Sequence, residues 1–284
     1  MAHGKVAVVT DSSVSLPEKL IEELDIHIIP LWLLWGEDRL RDGIDIQPVE
    51  FYERLKREDS MPTTSQPSAG EFIEFFMALQ DGYDGVVAVM VSDKLSGTIG
   101  SARAAVNQMP DFPVRIVDSA NVSMGLSFPV LAAARAAKEG KTIDEVAAAA
   151  EKLVQQTYFL FVVDTLEYLH KGGRITGAKA LLGTALSIKP LLHFEDGLIQ
   201  PLVQVRTKKK GIATMLDQVE EKLGGKKMAE VGVVDSNAPE DGDMVAEMVR
   251  ERFGAAEILR EIIGPVVGTH AGPGAVGVAF YPED

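Results

Sequence analysis

Short apolar runs alternate with amphipathic stretches through the first half of the chain. "KVAVVTDSS", "GVVAVMVSD" and "VRIVDSA" are apolar at nearly every position and then turn polar. Runs of this kind predict strands buried on both faces, and so a parallel sheet covered by helices. Between them, "SLPEKLIEEL", "GEFIEFFMAL", "SGTIGSARAAVNQM", "SMGLSFPVLAAARAAKEG" and "TIDEVAAAAEKLVQQT" predict helices. Ser15 with Glu18, Ser68 with Glu71 and Thr142 with Glu145 have capping-box spacing, in which each side chain satisfies the other residue's backbone N–H. "IHIIPLWLLWGEDRLRDGIDI" is broken by turn residues and predicts a strand followed by a small hairpin.

The second half has a different rhythm. "YFLFVVDTLEYLHKGGR" opens it, and "TGAKALLGTALSIKPLL" is apolar almost all round, which predicts a buried helix. "HFEDGLIQPLVQVRT" predicts a hairpin turning at Asp196-Gly197. A helix ("KKGIATMLDQVEEKL"), a strand ("AEVGVVDS"), a helix ("APEDGDMVAEMVRERF") and strand-like segments over 257–282 complete it. The fold class expected is therefore α/β in two domains: an N-terminal parallel-sheet βα domain over 1–160 and a C-terminal mixed α/β domain over 161–284.

Four predicted strand ends carry Asp followed by a hydroxyl residue: Asp11-Ser12, Asp118-Ser119, Asp164-Thr165 and Asp235-Ser236. Such pairs cap turns and helices. They also mark the carboxyl ends of strands, where open α/β sheets bind ligands.

Composition narrows the function. The 284 residues are 46% hydrophobic and carry a net charge of −14, which disfavours nucleic acid and anionic membrane surfaces. The basic run Arg206–Lys210 reads as a solvated loop or a helix start. No apolar run approaches the roughly 20 residues of a membrane span, and "MAHGKVAVVT" has no secretory h-region. A cytoplasmic protein without stable membrane anchoring is expected. The chain has no cysteine, which removes disulfides, thiolate nucleophiles and Cys-bound zinc. The five histidines are scattered, so no metal site is expected.

Two stretches hold candidate chemistry. In "TTSQPSAGEF", Ser68 is taken up by its capping box. Thr63, Thr64 and Ser65 are left in a loop stiffened by Pro62 and Pro67. In "DKLSGTIGSA", Ser96, Gly97 and Thr98 lie between a strand and a helix, where Gly97 lets backbone approach a ligand. Hydroxyls and free N–H groups near helix starts form a neutral anion cradle. Neither a Walker lysine loop nor a G-x-G-x-x-G turn is present, so a carboxylate fits better than a nucleotide phosphate, and no cofactor is expected. His270, in "HAGPG", suits the same group. The sequence has no G-x-S-x-G elbow and no H-E-x-x-H pair. Two alternatives stay open: a hydrolase using Ser96, His270 and an Asp, and a binder of another small anion such as a sugar phosphate.

Taken together, "VTDSSVSLP", "TTSQPSAGEF", "SDKLSGTIGSA", "VDSANVSMG", "DTLEYLHKGGRI" and "HAGPGAVG" resemble the DegV family of bacterial lipid-binding proteins, in the same order and over nearly the whole chain. That family is similar to the fatty-acid-binding B subunit of bacterial fatty acid kinase. The resemblance implies a non-enzymatic carrier that holds one long-chain fatty acid between its two α/β domains. The carrier presents the carboxylate to a partner, an ATP-dependent fatty acid kinase subunit that makes the acyl phosphate. It further implies that Thr64, Ser96 and His270 surround the carboxylate, and that Arg174 contacts the kinase. Two positions depart from the family pattern: Ile99 stands where many relatives have an aromatic residue, and Thr63 where Lys is common. Candidate walls for an acyl tunnel are Phe72, Phe76, Leu126, Phe128, Leu131, Leu182 and Leu186, each also an ordinary core position.

Overall fold

The computed structural model describes residues 4–183 and 188–284. Its first half builds a parallel sheet in the order β2-β1-β6-β7, from β1 (Val6–Asp11), β2 (Ile26–Ile29), β6 (Gly85–Met90) and β7 (Val114–Asp118). Every residue of β1 and β6 is buried, as their unbroken apolar runs require. A small antiparallel sheet in the order β4-β3-β5 stands beside it, from β3 (Trp32–Trp35), β4 (Asp38–Arg41) and β5 (Thr63–Ser65).

The second half builds a mixed sheet in the order β10-β9-β8-β13-β11-β12. Its strands are β8 (Tyr158–Val162), β9 (Lys189–Glu195), β10 (Leu198–Val205), β11 (Met228–Asp235), β12 (Leu259–Ile262) and β13 (Val276–Pro282). All neighbours there are antiparallel except β11 and β12. The chain passes from one large sheet to the other between Gln156 and Tyr158.

Ten helices complete the described chain: α1 (Glu18–Glu23), α2 (Pro48–Arg57), α3 (Ala69–Met77), α4 (Thr98–Val106), α5 (Met124–Lys138), α6 (Ile143–Gln156), α7 (Glu167–Lys171), α8 (Lys208–Leu223), α9 (Pro239–Phe253) and α10 (Pro265–Ala271). The period of two along each strand sorts side chains into layers. Ala7, Val9, Val86 and Ala88 pack outward against α3 and α4. Val6, Val8, Val87 and Val89 pack inward with α5 and α6. The inner face of the second sheet closes the same core with Phe159, Phe161, Val234 and Ala275. Its outer face, including Leu160, Val162, Val233 and Val278, is covered by α8 and α9. The α5–α6 layer is thus pressed between two sheets. Gly232 permits the close approach, since a Cβ there would lie 2.4 Å from the Met124 sulfur.

Local expectations fare unevenly. The Ser68/Glu71 and Thr142/Glu145 capping boxes both form, and Thr207 caps α8 where the basic run begins. Ser15 does not cap α1; the N-cap is Pro17. Ser15 is buried, and its hydroxyl pairs with Ser123 Oγ at 2.8 Å, so a tertiary partner outcompetes the local one. The long buried helix expected after Thr176 is also corrected. Thr176–Gly183 is a 3₁₀ segment, and Lys189 already belongs to β9. Gly177 packs on the Ile199 carbonyl, 2.3 Å from where a Cβ would sit, and Pro190 disfavours helix at Lys189.

Candidate functional site

The strand order of the first sheet reverses at β1, with β2 on one side and β6 on the other. Open α/β sheets bind ligands at the carboxyl ends flanking such a reversal. There Asp11 is fully buried, accepting from Ser13 N–H and Oγ and from Val91 N–H. Its role is to tie the two strand ends together. That leaves Ser13 and Val91 facing a cavity, beside Leu95 and Ser96 from the loop after β6.

This cavity encloses about 860 Å³ including its open mouth, and lies between the two large sheets. The polar side chains around it are Ser13, Thr64, Ser65, Gln66, Ser96, Ser123, Arg174 and His270. The rest of the wall is almost wholly apolar, and the second half supplies much of it.

Thr64 and His270, 206 residues apart in sequence, are joined by a hydrogen bond of 2.8 Å between Thr64 Oγ1 and His270 Nε2. β5 pairs Thr64 with Leu33 and so fixes the hydroxyl. His270 stands in the last turn of α10. Gly172 brings the 170–174 segment against the imidazole: a Cβ there would lie 2.1 Å from Nδ1. That Nδ1 is buried and has no hydrogen-bond partner among the described residues. Burial, and secondly the nearby Arg174 charge, push the His270 pKa down to about 4, so the ring is neutral at pH 7.

Ser96 Oγ bonds Thr98 Oγ1 at 2.8 Å and does not reach His270. Thr98 is fully buried at the start of α4 and supports Ser96 from behind. Arg174 is half-buried. Its guanidinium donates to the carbonyls of Leu95 (3.1 Å) and Gly172 (2.7 Å), and burial lowers its pKa. The bond to Leu95 ties the segment after α7 to the loop after β6, the bond to Gly172 is local, and Arg174 lines the cavity.

The cavity thus gathers Thr64, Ser65, Ser96, Arg174 and His270. Thr63 is exposed on β5, and Gly97 and Thr98 stand behind Ser96 without lining the space. Gly97 instead packs against the Gln66 amide, 2.9 Å from where a Cβ would sit.

The wall candidates are corrected. Phe72 and Phe76 pack on the outer face of the first sheet, on the far side from the cavity. Leu126, Phe128 and Leu131 belong to the inner core, and none of them lines the cavity. Leu186 and the side chain of Leu182 lie outside the described residues. The aromatic wall is instead Phe159, Phe161 and Phe194, with ring centroids 5.4–5.9 Å apart, joined by Ile199 and Ile263. The signal was present as Phe159-x-Phe161 at period two. Leu160 and Val162 are apolar as well, so alternation could not separate the two faces.

Among the described residues no group of three or more His, Cys, Asp or Glu side chains could hold a metal ion, and no helix is long and apolar enough to cross a membrane.

Residues 5–283 match the model of the DegV family, described as uncharacterised proteins. The chain belongs to the DegV family. A DegV domain-containing protein of Streptomyces coelicolor is 39% identical over 275 residues, covering 96% of this chain and 97% of its own. Among solved structures, the fatty-acid-binding DegV family protein of Thermus thermophilus superposes with a TM-score of 0.91 at 32% identity, covering 98% of this chain and all of its own. DegV of Bacillus subtilis, described as a fatty acid binding protein, gives 0.91 and 32% over 99% of this chain and 100% of its own. The DegV fold, with a parallel-sheet half and a mixed-sheet half, is therefore the fold of this chain.

Proposed function

We propose that this protein binds one long-chain fatty acid and presents its carboxylate to a partner kinase for acyl-phosphate formation, without itself catalysing a reaction. One observation carries the binding step: a hydroxyl and imidazole cluster opens into a cavity with a mostly apolar wall between two sheets. Structural neighbours that bind fatty acids support it. Each buried methylene contributes about 0.8 kcal/mol. A long chain therefore gains on the order of 10 kcal/mol before the costs of association. A bidentate arginine would occupy both carboxylate oxygens. Here the Arg174 guanidinium is already engaged by two carbonyls. Thr64, Ser96 and neutral His270 can position one oxygen and leave the other free to attack a phosphoryl group. The kinase, and a cytoplasmic setting in which it meets the carrier, follow from the family resemblance.

The hydrolase alternative fits less well. His270 faces Thr64 and not Ser96, and among the described residues its Nδ1 has no carboxylate to orient it. Native mass spectrometry of the purified protein, with solvent extraction, tests the binding step. A one-to-one complex with an extractable long-chain fatty acid is expected. A protein that stays unliganded after incubation with several fatty acids sinks the proposal. For the transfer step, Arg174→Ala is expected to keep its lipid and lose acyl-phosphate formation with kinase and ATP. Unchanged turnover would refute the kinase role.

A further inference from the structure

β13 carries a glycine that its backbone does not require. Gly277 sits inside a central strand and is not among the positive-φ glycines. Glycine in a strand interior costs stability, and it often marks a place where something else comes close. What comes close is an aromatic ring: a Cβ on Gly277 would lie 2.7 Å from Cε2 of Phe159, 3.0 Å from Cβ of Phe161 and 3.1 Å from the Leu160 carbonyl.

The register makes the Phe159 contact a diagonal one. Gly277 pairs with Phe161, and Phe159 pairs with Ala279. The Phe159 ring therefore leans back over a position two residues nearer α10, about 7 Å along the strand. The Phe194 ring stacks on it, with centroids 5.9 Å apart and planes within 3°. Away from His270, the cavity wall runs through Ala271, Ala275, Val276 and Gly277 and does not reach Ala279. Along β13 the lining ends at Gly277, where the Phe159 ring crosses the strand, and across the sheet it continues to Phe194 and Ile199.

We propose that Phe159, seated over Gly277 and stacked on Phe194, is the stop that sets the longest acyl chain the cavity accepts. This rests on the fatty-acid reading of the cavity. A shorter apolar side chain at 159 opens space at the far end. A methyl group at 277 meets the ring edge and is hemmed in by Phe161 Cβ and the Leu160 carbonyl, so it displaces the Phe159 ring from its seat on the strand.

The test is a competition among laurate, myristate, palmitate, stearate and arachidate. The bound species are read by native mass spectrometry for the wild type, Phe159→Leu and Gly277→Ala, each checked for folding by circular dichroism. One methylene corresponds to about a 4-fold change in affinity. Phe159→Leu is expected to shift the preference toward longer acids by up to about 15-fold for two methylenes. Gly277→Ala is expected to shift it toward shorter ones. If Gly277→Ala does not fold, Phe159→Leu decides alone. A folded Phe159→Leu with the wild-type distribution overturns the stop while leaving the fatty-acid reading intact. A wild type that takes up none of the acids overturns both.

Discussion

Burial and the Arg174 charge hold His270 near a pKa of about 4, against 6.5 for a free imidazole. The folded state therefore takes up its proton later than the unfolded state as pH falls. Stability from this site is complete above pH 6.5 and is lost progressively down to about 4, up to about 3 kcal/mol in all. Buried Asp42 acts in the opposite sense. Burial raises its pKa from 3.8 to about 7 despite bonds from Ser12 Oγ and Val266 N–H. Its cost to the fold therefore grows as pH rises through that window. Comparing wild type with His270→Gln by urea unfolding at pH 7 and pH 4.5 isolates the histidine, because Asp42 is common to both. The wild type is expected to lose more stability between the two pH values; equal losses would contradict the burial argument. The participants at this site were legible from the sequence, as a hydroxyl cluster and a histidine before Gly-Pro-Gly. Their pairing was not. A bond spanning 206 residues has no local signature, and nothing local distinguishes Ser96 bound to Thr98 from Ser96 bound to His270.

Among the elements, the β9–β10 hairpin turns at Asp196-Gly197, as its Asp-Gly pair predicted. Its tip rests on the first half: Ser92 Oγ donates to the Gly197 carbonyl at 2.7 Å. Gly197 has φ +77°, and a Cβ there would lie 2.7 Å from that same hydroxyl. Gly197→Ala is expected to cost about 1–2 kcal/mol for the left-handed backbone alone. It should also lower Tm and speed hydrogen exchange in β9 and β10; unchanged exchange would mean the tip contact is not holding the hairpin. Ser68→Ala is expected to cost about 1 kcal/mol through its lost cap, read as a shift in urea midpoint. Elements with strong local codes, the capped helices and the Asp-Gly turn, were legible. α10 was not, although Gly264-Pro265 is a helix start signal. Its Val-Val-Gly interior has poor helix propensity. Packing supplies what propensity lacks, with Tyr52 Oη donating to the Ile263 carbonyl just before the helix and Asp42 accepting from Val266 N–H.

Across the whole molecule, the two kinds of recognition proposed for the fatty acid draw on different stretches of chain. Hydroxyls of the proposed head-group site lie in 63–98, joined by His270, while the aromatic wall lies on β8 and β9 and meets β13. A chimera joined at Thr157, with the second half of a relative of different acyl preference, is expected to follow that second half. A preference that followed the first half would refute the division. The parallel sheet covered by helices on both faces was legible from apolar runs, but the cavity wall was not. Strands buried on both faces give no clue to which face looks inward. The placement of the α5–α6 layer between the sheets bears finally on synthesis. While the ribosome makes the second half, on the order of ten seconds at ordinary elongation rates, the apolar side of α5 that meets β8, β11 and β13 has no cover. That uncovered face is an aggregation hazard for the nascent first half, and a chaperone that binds apolar helices would act in that interval.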